Sequence, residues 1–375
     1  MCEKMSTFAA KFAAMELTNI ATFVTDKISS RDIKLQDYVT TDSLLPNKQG
    51  RAEAQNLPPQ PCTLTKYRAG DVLVANIRPY LQKIWLADSD GGASADVLVF
   101  RAKDGHSSQY LYSVLLQDSF YEWVMLGTKG SQMPRGNKDQ IMRFSVADIG
   151  SQEKQVGALI ENISNKINLN KQINRNLEAL IATITDNLFL SKKDDLPMRR
   201  LGDIADITAG GDCPDVFSKE RTHKCSIPIY SNGVENEGLY GYTSKATINK
   251  RSITVAARGT IGYCYRREGG YVPIIRLLSL CPKHEGGDTY LHQIISRMTF
   301  RKNGSVQQQL TVPEISSIRI PYPSEKELIN YEHITRPLVE HINRNKLETA
   351  TLIMQRNELL PLLINGLVNS DLSAD

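Results

Sequence analysis

The period of the apolar positions changes repeatedly along this chain, and the changes mark its elements. Asp71 to Ile77 and Asp96 to Phe100 are short β-branched runs bounded by Gly70, Gly91 and Gly92, and they predict strands. Tyr110 to Trp123 places Leu111, Val114, Leu115 and Tyr121 near helical spacing and predicts a helix; Ile141 to Val146 predicts a closing strand. From residue 151 to 190 the period changes. Ile160, Ile163, Ile167, Leu177, Ile181, Ile184 and Leu188 form a heptad seam whose centre is polar, held by Asn170 and Asn174. A helix of about 38 residues spans roughly 57 Å, too long for one small domain.

The same series then returns. Tyr110 to Phe120 (YLYSVLLQDSF) recurs as Tyr290 to Phe300 (YLHQIISRMTF), and Ile141, Phe144 and Val146 recur as Ile315, Ile318 and Ile320. Lys166 to Lys171 (KINLNK) recurs as His341 to Lys346 (HINRNK). These offsets of 180, 174 and 175 drift but keep their order, so one unit of roughly 175 residues is present twice, far beyond the ~20–50 residue period of a solenoid. Ser252 to Ala256 and Leu277 to Leu280 take the strand positions of the second copy. Leu338, Ile342, Asn345, Thr349, Leu352, Arg356, Leu359 and Leu363 form its seam, with Pro337 and Pro361 expected to bend or break that helix. The expected fold class is α+β: two similar mixed α/β domains separated by two long helices that form an antiparallel coiled coil. The expected divisions are an extension at 1–15, a globular unit at 16–150, a long helix at 151–196, a second globular unit at 197–323 and a second long helix at 324–375. Phe8, Phe12 and Met15 give the extension helical spacing.

Composition excludes more than it selects. A net charge of +4, from 45 Lys+Arg against 41 Asp+Glu, permits nucleic-acid binding without demonstrating it. No apolar run reaches the ~18 residues of a membrane span, and the first 15 residues lack a secretory apolar core, so the cytoplasm is the expected location and no membrane is involved. The six cysteines include no CxxC pair, and Cys213, His223, Cys225, Cys281 and His284 fit no compact zinc spacing. No catalytic residues, metal or cofactor are therefore expected. There is no GxxxxGKS phosphate loop, no GxGxxG after a strand, no GxSxG and no HExxH. Asn76 to Tyr80 (NIRPY) lacks the second proline of an amino-methyltransferase box, and Pro214-Asp215 has no partner carboxylate and lysine on a following strand. The chain reads as a binder.

Binding chemistry sits in paired loops. Gly127 to Lys138 carries Lys129, Gln132, Arg135, Asn137 and Lys138; its counterpart carries Arg301, Lys302, Ser305, Gln307, Gln308 and Gln309. Arg, Lys, Asn and Gln can make bidentate contacts to purine edges, and glycine lets backbone approach phosphate. A second pair follows equivalent strands: Arg78 and Tyr80 in the first copy, Arg258, Thr260, Tyr263, Arg266 and Arg267 in the second. Asn47, Lys48, Gln49 and Arg51 form a third patch, with Asn232, Glu235 and Asn236 its weaker relative.

In unit order and in Leu201-Gly202-Asp203-Ile204, Val39 to Leu44, Arg258-Gly259-Thr260-Ile261-Gly262, Gly304-Ser305 and Ile320-Pro321-Tyr322-Pro323, the chain resembles the DNA-specificity subunit of type I restriction–modification enzymes. The resemblance covers nearly everything after residue 16. It departs at Asn76 to Tyr80, which replaces the Arg-Gly-Thr-Ile-Gly loop in the first copy. It implies a non-catalytic subunit whose two target-recognition domains each read half of a split sequence in double-stranded DNA. It also implies helices that dock two DNA methyltransferase subunits, which carry S-adenosylmethionine, and indirectly the motor–restriction subunits. The docking positions expected are Ile160, Ile163, Ile167, Asn170, Leu177, Ile181, Leu338, Ile342, Asn345, Leu352 and Leu359. The alternative from another class is a duplicated coiled-coil scaffold that binds protein partners without specific DNA recognition.

Overall fold

A computed structural model of the chain describes residues 13–128, 133–300 and 309–364. It divides into two compact units, one of residues 1–172 with 345–375 and one of residues 173–344. The dividing points lie inside the two long helices, Glu153–Leu188 and Glu325–Ile364. Each unit therefore owns a segment of both helices.

In the first unit a central four-stranded antiparallel sheet runs in the order Ala21–Phe23, Val97–Ala102, Val72–Ala75, Ile84–Leu86. One face carries Val72, Val74, Leu98 and Phe100 into a core with the helices Ser108–Leu115 and Asp118–Leu126. The alternate residues Leu73, Ala75, Val97 and Val99 enter a separate core on the other side with Val39, Tyr67 and Ala93 of an outer sheet, as a two-residue side-chain period requires. That outer sheet is ordered Lys27–Ser29, Thr63–Tyr67, Gly91–Ala93, Tyr38–Val39.

The second unit repeats the central sheet strand for strand, as Ala205–Ala209, Leu278–Pro282, Ser252–Val255, Cys264–Arg267. A two-stranded ribbon closes each unit: Ala14–Glu16 with Ser145–Ala147, and Met198–Arg200 with Arg319–Pro321. The recurring tyrosines explain why their segment is repeated. Tyr110 and Tyr290 are both fully buried, and their hydroxyls donate to the closing ribbon, at Ala147 O (2.8 Å) and Pro321 O (2.5 Å).

Several expectations are corrected. The helix read over Tyr110 to Trp123 is two helices, because Gln117 takes extended backbone and its amide donates to Val114 O. The strand read from Ile141 begins only at Ser145; Asn137 instead caps a short helix, Lys138–Ile141. Met15 lies in a strand, paired with Val146, and not on a helix with Phe8 and Phe12, which are outside the described residues. Pro337 and Pro361 do not break the second long helix, since buried neighbours on both sides (Thr335, Val339, Leu360, Leu363) hold it.

The seam residues divide between the two units. In the first unit Ile160, Ile167 and Asn170 are buried, as are Asn345, Arg356 and Leu363, while Ile163, Leu352 and Leu359 are half-buried. Asn170 donates to the Glu348 carboxylate (2.7 Å), which also pairs with Lys166 (3.4 Å). In the second unit Ile181, Val339 and Ile342 form an apolar cluster joined by half-buried Leu177 and Leu338, and Asn174 donates to Ile342 O (3.2 Å). Leu188 is exposed, and Phe189 takes the buried place against Tyr290 and Tyr331. Gly157 is the one position of the first long helix where a side chain would collide with backbone: an added Cβ would lie 2.6 Å from Tyr110 N.

Among the described residues no group of three or more His, Cys, Asp or Glu could hold a metal, and no helix is long and apolar enough to cross a membrane. Burial pushes the Cys264 thiol up to about 12, whereas Cys62 is exposed. Since the thiolate is the nucleophile, brief alkylation of native protein should modify Cys62 and spare Cys264 until denaturant is added. Peptide mass mapping checks this, and early labelling of Cys264 would contradict the packing.

Candidate nucleic-acid interface

The two loop pairs singled out in the sequence converge in each unit. In the first unit Arg78 leaves the strand Val72–Ala75 with φ +51° and an exposed side chain. Its N–H donates to Pro134 O (2.9 Å), Ile77 forms a β-bridge with Arg135, and Gly136 N–H donates to Asn76 O (3.3 Å). The described part of the Gly127 to Lys138 loop is thus stitched to the segment carrying Arg78 and Tyr80. Arg135 pairs with Asp96 (3.2 Å) and remains half-exposed, Tyr80 is exposed, and Lys138 is exposed with its ammonium 5.9 Å from the Phe23 ring.

In the second unit the same meeting is made by other bonds. Arg258 donates from Nε (3.1 Å) and from a terminal nitrogen (2.7 Å) to Gln309 Oε1, and Leu310 N–H donates to Ala257 O (3.0 Å). Thr260 donates to Asn232 O (3.4 Å), and the Tyr263 ring is 50 % exposed beside it in sequence. The candidates Lys129, Gln132, Arg301, Lys302, Ser305, Gln307 and Gln308 lie outside the described residues.

Three candidates have structural work that removes them from the surface. Arg266 has a side chain only 8 % exposed; it pairs with Glu178 of the first long helix and bonds His292 Nδ1 (3.1 Å). Arg267, on the other face of the same strand, is buried over Tyr230 with its guanidinium 3.5 Å from the ring centre. Asn137 uses its side-chain oxygen to accept the N–H groups of Asp139 (3.0 Å) and Gln140 (3.2 Å), the usual work of a helix cap.

Of the third patch, Asn47 and Gln49 are exposed, while Lys48 and Arg51 are engaged within the fold. The Lys48 ammonium, on a side chain 5 % exposed, bonds Asp118 (2.6 Å), and Gln82 bonds the same carboxylate (2.9 Å). Burial raises the Asp118 carboxyl, but the Lys48 ammonium and the Gln82 amide outweigh it and hold the group below its ordinary value. Arg51 lies 4.2 Å from the centre of the Trp85 ring and donates to Gln36 O (2.9 Å). Asn232, named in the relative of this patch, joins three loops of the second unit: it bonds Ile275 O, Ala257 N–H and the Thr260 hydroxyl.

The arrangement offers forked cations and exposed aromatics on loops that follow strands of the central sheet. Comparison with known proteins agrees in kind. The sequence model of the type I restriction modification DNA specificity domain matches residues 193–354. A Mycoplasma pneumoniae chain named as the C-terminus of a type I specificity subunit is 35% identical over 97 residues, 26% of this chain and 67% of the relative. The chain belongs to the type I specificity-subunit family. A second Mycoplasma pneumoniae member is 35% identical over 147 residues, 39% of this chain and 44% of that protein, so less than half of the relative is matched. Among solved structures, the S subunit of a type I restriction–modification system from M. genitalium superposes with a TM-score of 0.57 at 14% identity, covering 96% of this chain and 97% of that one. At that identity the likeness concerns the fold alone.

The coil positions call for one more correction. Ile160, Ile167, Asn170, Ile181, Ile342 and Asn345 are buried, so they hold helix segments together and cannot themselves be a docking face. The large exposed apolar residues of the described helix segments lie elsewhere: Leu169, Leu347, Met354 and Leu362 in the first unit, Leu180, Leu188 and Ile334 in the second.

Proposed function

We propose that the chain is the sequence-reading subunit of a type I restriction–modification complex, non-catalytic itself, with each unit reading one half of a bipartite site in double-stranded DNA. The observation that carries this reading is the duplicated meeting of a strand-end arginine with a second loop, Arg78 with Pro134 beside the Ile77–Arg135 bridge, and Arg258 with Gln309. Both arginines are exposed at the ends of equivalent central strands. Backbone tethering of this kind lowers the entropy lost when a side chain is fixed on a base edge. The exposed apolar residues on both helix segments of each unit support two methyltransferase docking sites, one per unit, with the motor–restriction subunits joining through them in the cytoplasm.

The test is a methylation or binding assay over a randomised bipartite duplex, read by sequencing. Arg258→Ala should relax one base position in one half-sequence by about 1–3 kcal/mol, the weight of one bidentate contact. Gln309→Ala should relax the same position, because the pair acts together, and the other half-sequence should keep its profile. Equal loss across all sequences would make Arg258 a phosphate contact. Absence of any enriched sequence, with protein partners still captured, would favour the scaffold reading.

A further inference from the structure

The second unit holds an isoleucine in a backbone conformation that isoleucine resists. Ile275 has φ +53° and Arg276 φ +59°, two consecutive left-handed residues without a glycine. For a β-branched residue this is an outlier, and such outliers persist where surrounding structure over-determines them, commonly at functional sites. Here the determination is visible. Ile275 N–H donates to Gly211 O (2.8 Å) and Arg276 N–H to Gly210 O (2.9 Å), while Ile274 and Leu277 on either side are buried. Asn232 completes the clamp: its amide donates to Ile275 O (2.7 Å) and its side-chain oxygen accepts Ala257 N–H (2.7 Å). The turn is thereby tied to the loop that begins with Arg258.

Asparagine or glycine would satisfy this backbone more easily, yet the sequence supplies an isoleucine and displays it, 49 % exposed. One exposed aliphatic residue is ordinary; its company is not. Val234 and Tyr263 are exposed on the loops that Asn232 joins, Arg258 and Arg276 are exposed, and Arg276 has no ion-pair partner among the described residues. The left-handed residues of the first unit differ. Lys48 and Gln82 are spent on Asp118, and Asn47 and Arg78 carry polar side chains.

Forked cations beside an aliphatic tip match the major groove, where guanine offers two acceptors and thymine a C5-methyl group. We propose that Ile275 is a specificity-determining residue of the second unit, reading the methyl group of one thymine between the flanking contacts of Arg258 and Arg276. This rests on the DNA-reading function proposed above.

Uracil in place of thymine removes that methyl and nothing else, which gives a direct test. The full chain, co-expressed with its methyltransferase subunit, first selects its target from randomised duplex. Each thymine of the selected site is then replaced singly by uracil. Wild type should lose affinity about fourfold at one thymine, the weight of one buried methyl-sized group. Ile275→Ala should show the weaker affinity from the start and no further loss at that position. Ile275→Asn, which suits the backbone, should be at least as heat-stable as wild type and equally blind to the methyl, so misfolding cannot produce the result. A site without a methyl-sensitive thymine, or the same uracil loss in Ile275→Ala, overturns the proposal while leaving the DNA reading standing. Failure of wild type to select any sequence overturns both.

Discussion

Arg266→Ala should destabilise the second unit by about 2–3 kcal/mol and leave its base preference untouched. The arginine bridges the strand Cys264–Arg267 to Glu178 on the first long helix and to His292 on the helix Gly287–Ile295. Breaking a buried ion pair from one side costs ~3–5 kcal/mol, because the remaining charge is left without its partner. The effect falls at or below the low end of that range here, since the Glu178 side chain is 35% exposed and water can rehydrate it. Urea unfolding of the variant against wild type gives the stability, and the randomised-target assay gives the specificity. Arg258→Ala should show the converse pattern, with specificity changed and the urea midpoint kept. If Arg266→Ala altered one base position at unchanged stability, Arg266 would return to the reading surface.

A larger effect is expected from length. Inserting seven residues after Gln172 and seven after Arg344 adds one heptad to each long helix at the boundary of the two units. Seven residues extend a helix by ~10.5 Å, close to three base pairs at ~3.4 Å each. The insertion keeps the seam in register, because a heptad returns apolar residues to the same face. On the bipartite reading, the duplicated chain should lose its original target down to the non-specific level, a drop of roughly 10³-fold or more. It should regain affinity for the same two half-sequences set about three base pairs further apart. A changed half-sequence at the original spacing would refute the idea that the helices act as the ruler. Insertion in one helix only should disrupt the pairing, since the Asn170–Glu348 and Asn174–Ile342 O bonds could no longer both form.

The sequence itself determined the architecture. Local periodicity and a repeated segment are intrinsic to the chain, and each copy folds its central sheet strand for strand, with Val72–Ala75 and Ser252–Val255 buried throughout at equivalent places. The long helices were legible for the same reason, down to the polar residues at Asn170 and Asn345. The outer sheets were not. The first unit sets Gly91–Ala93 beside Thr63–Tyr67, whereas the second sets Ile227–Tyr230 beside Leu239–Thr243 and moves Val272–Pro273 to the edge. Strands so short carry too little pattern to fix their neighbours, so packing against the central sheet decides.

Charged residues show the same limit most plainly. Asp71 and Arg251 open equivalent stretches with opposite charge, and each finds an opposite partner, Arg101 for one and Glu332 on the second long helix for the other. Arg258, Arg266 and Arg267 were alike as sequence. Only tertiary structure put the first on an exposed loop end and captured the other two on opposite faces of one strand, because a charge is committed by the partner that burial brings to it. Ile275 lies beyond the reach of sequence for a related reason. Its strain arises from bonds to Gly210, Gly211 and Asn232, residues distant along the chain that meet only in the folded unit.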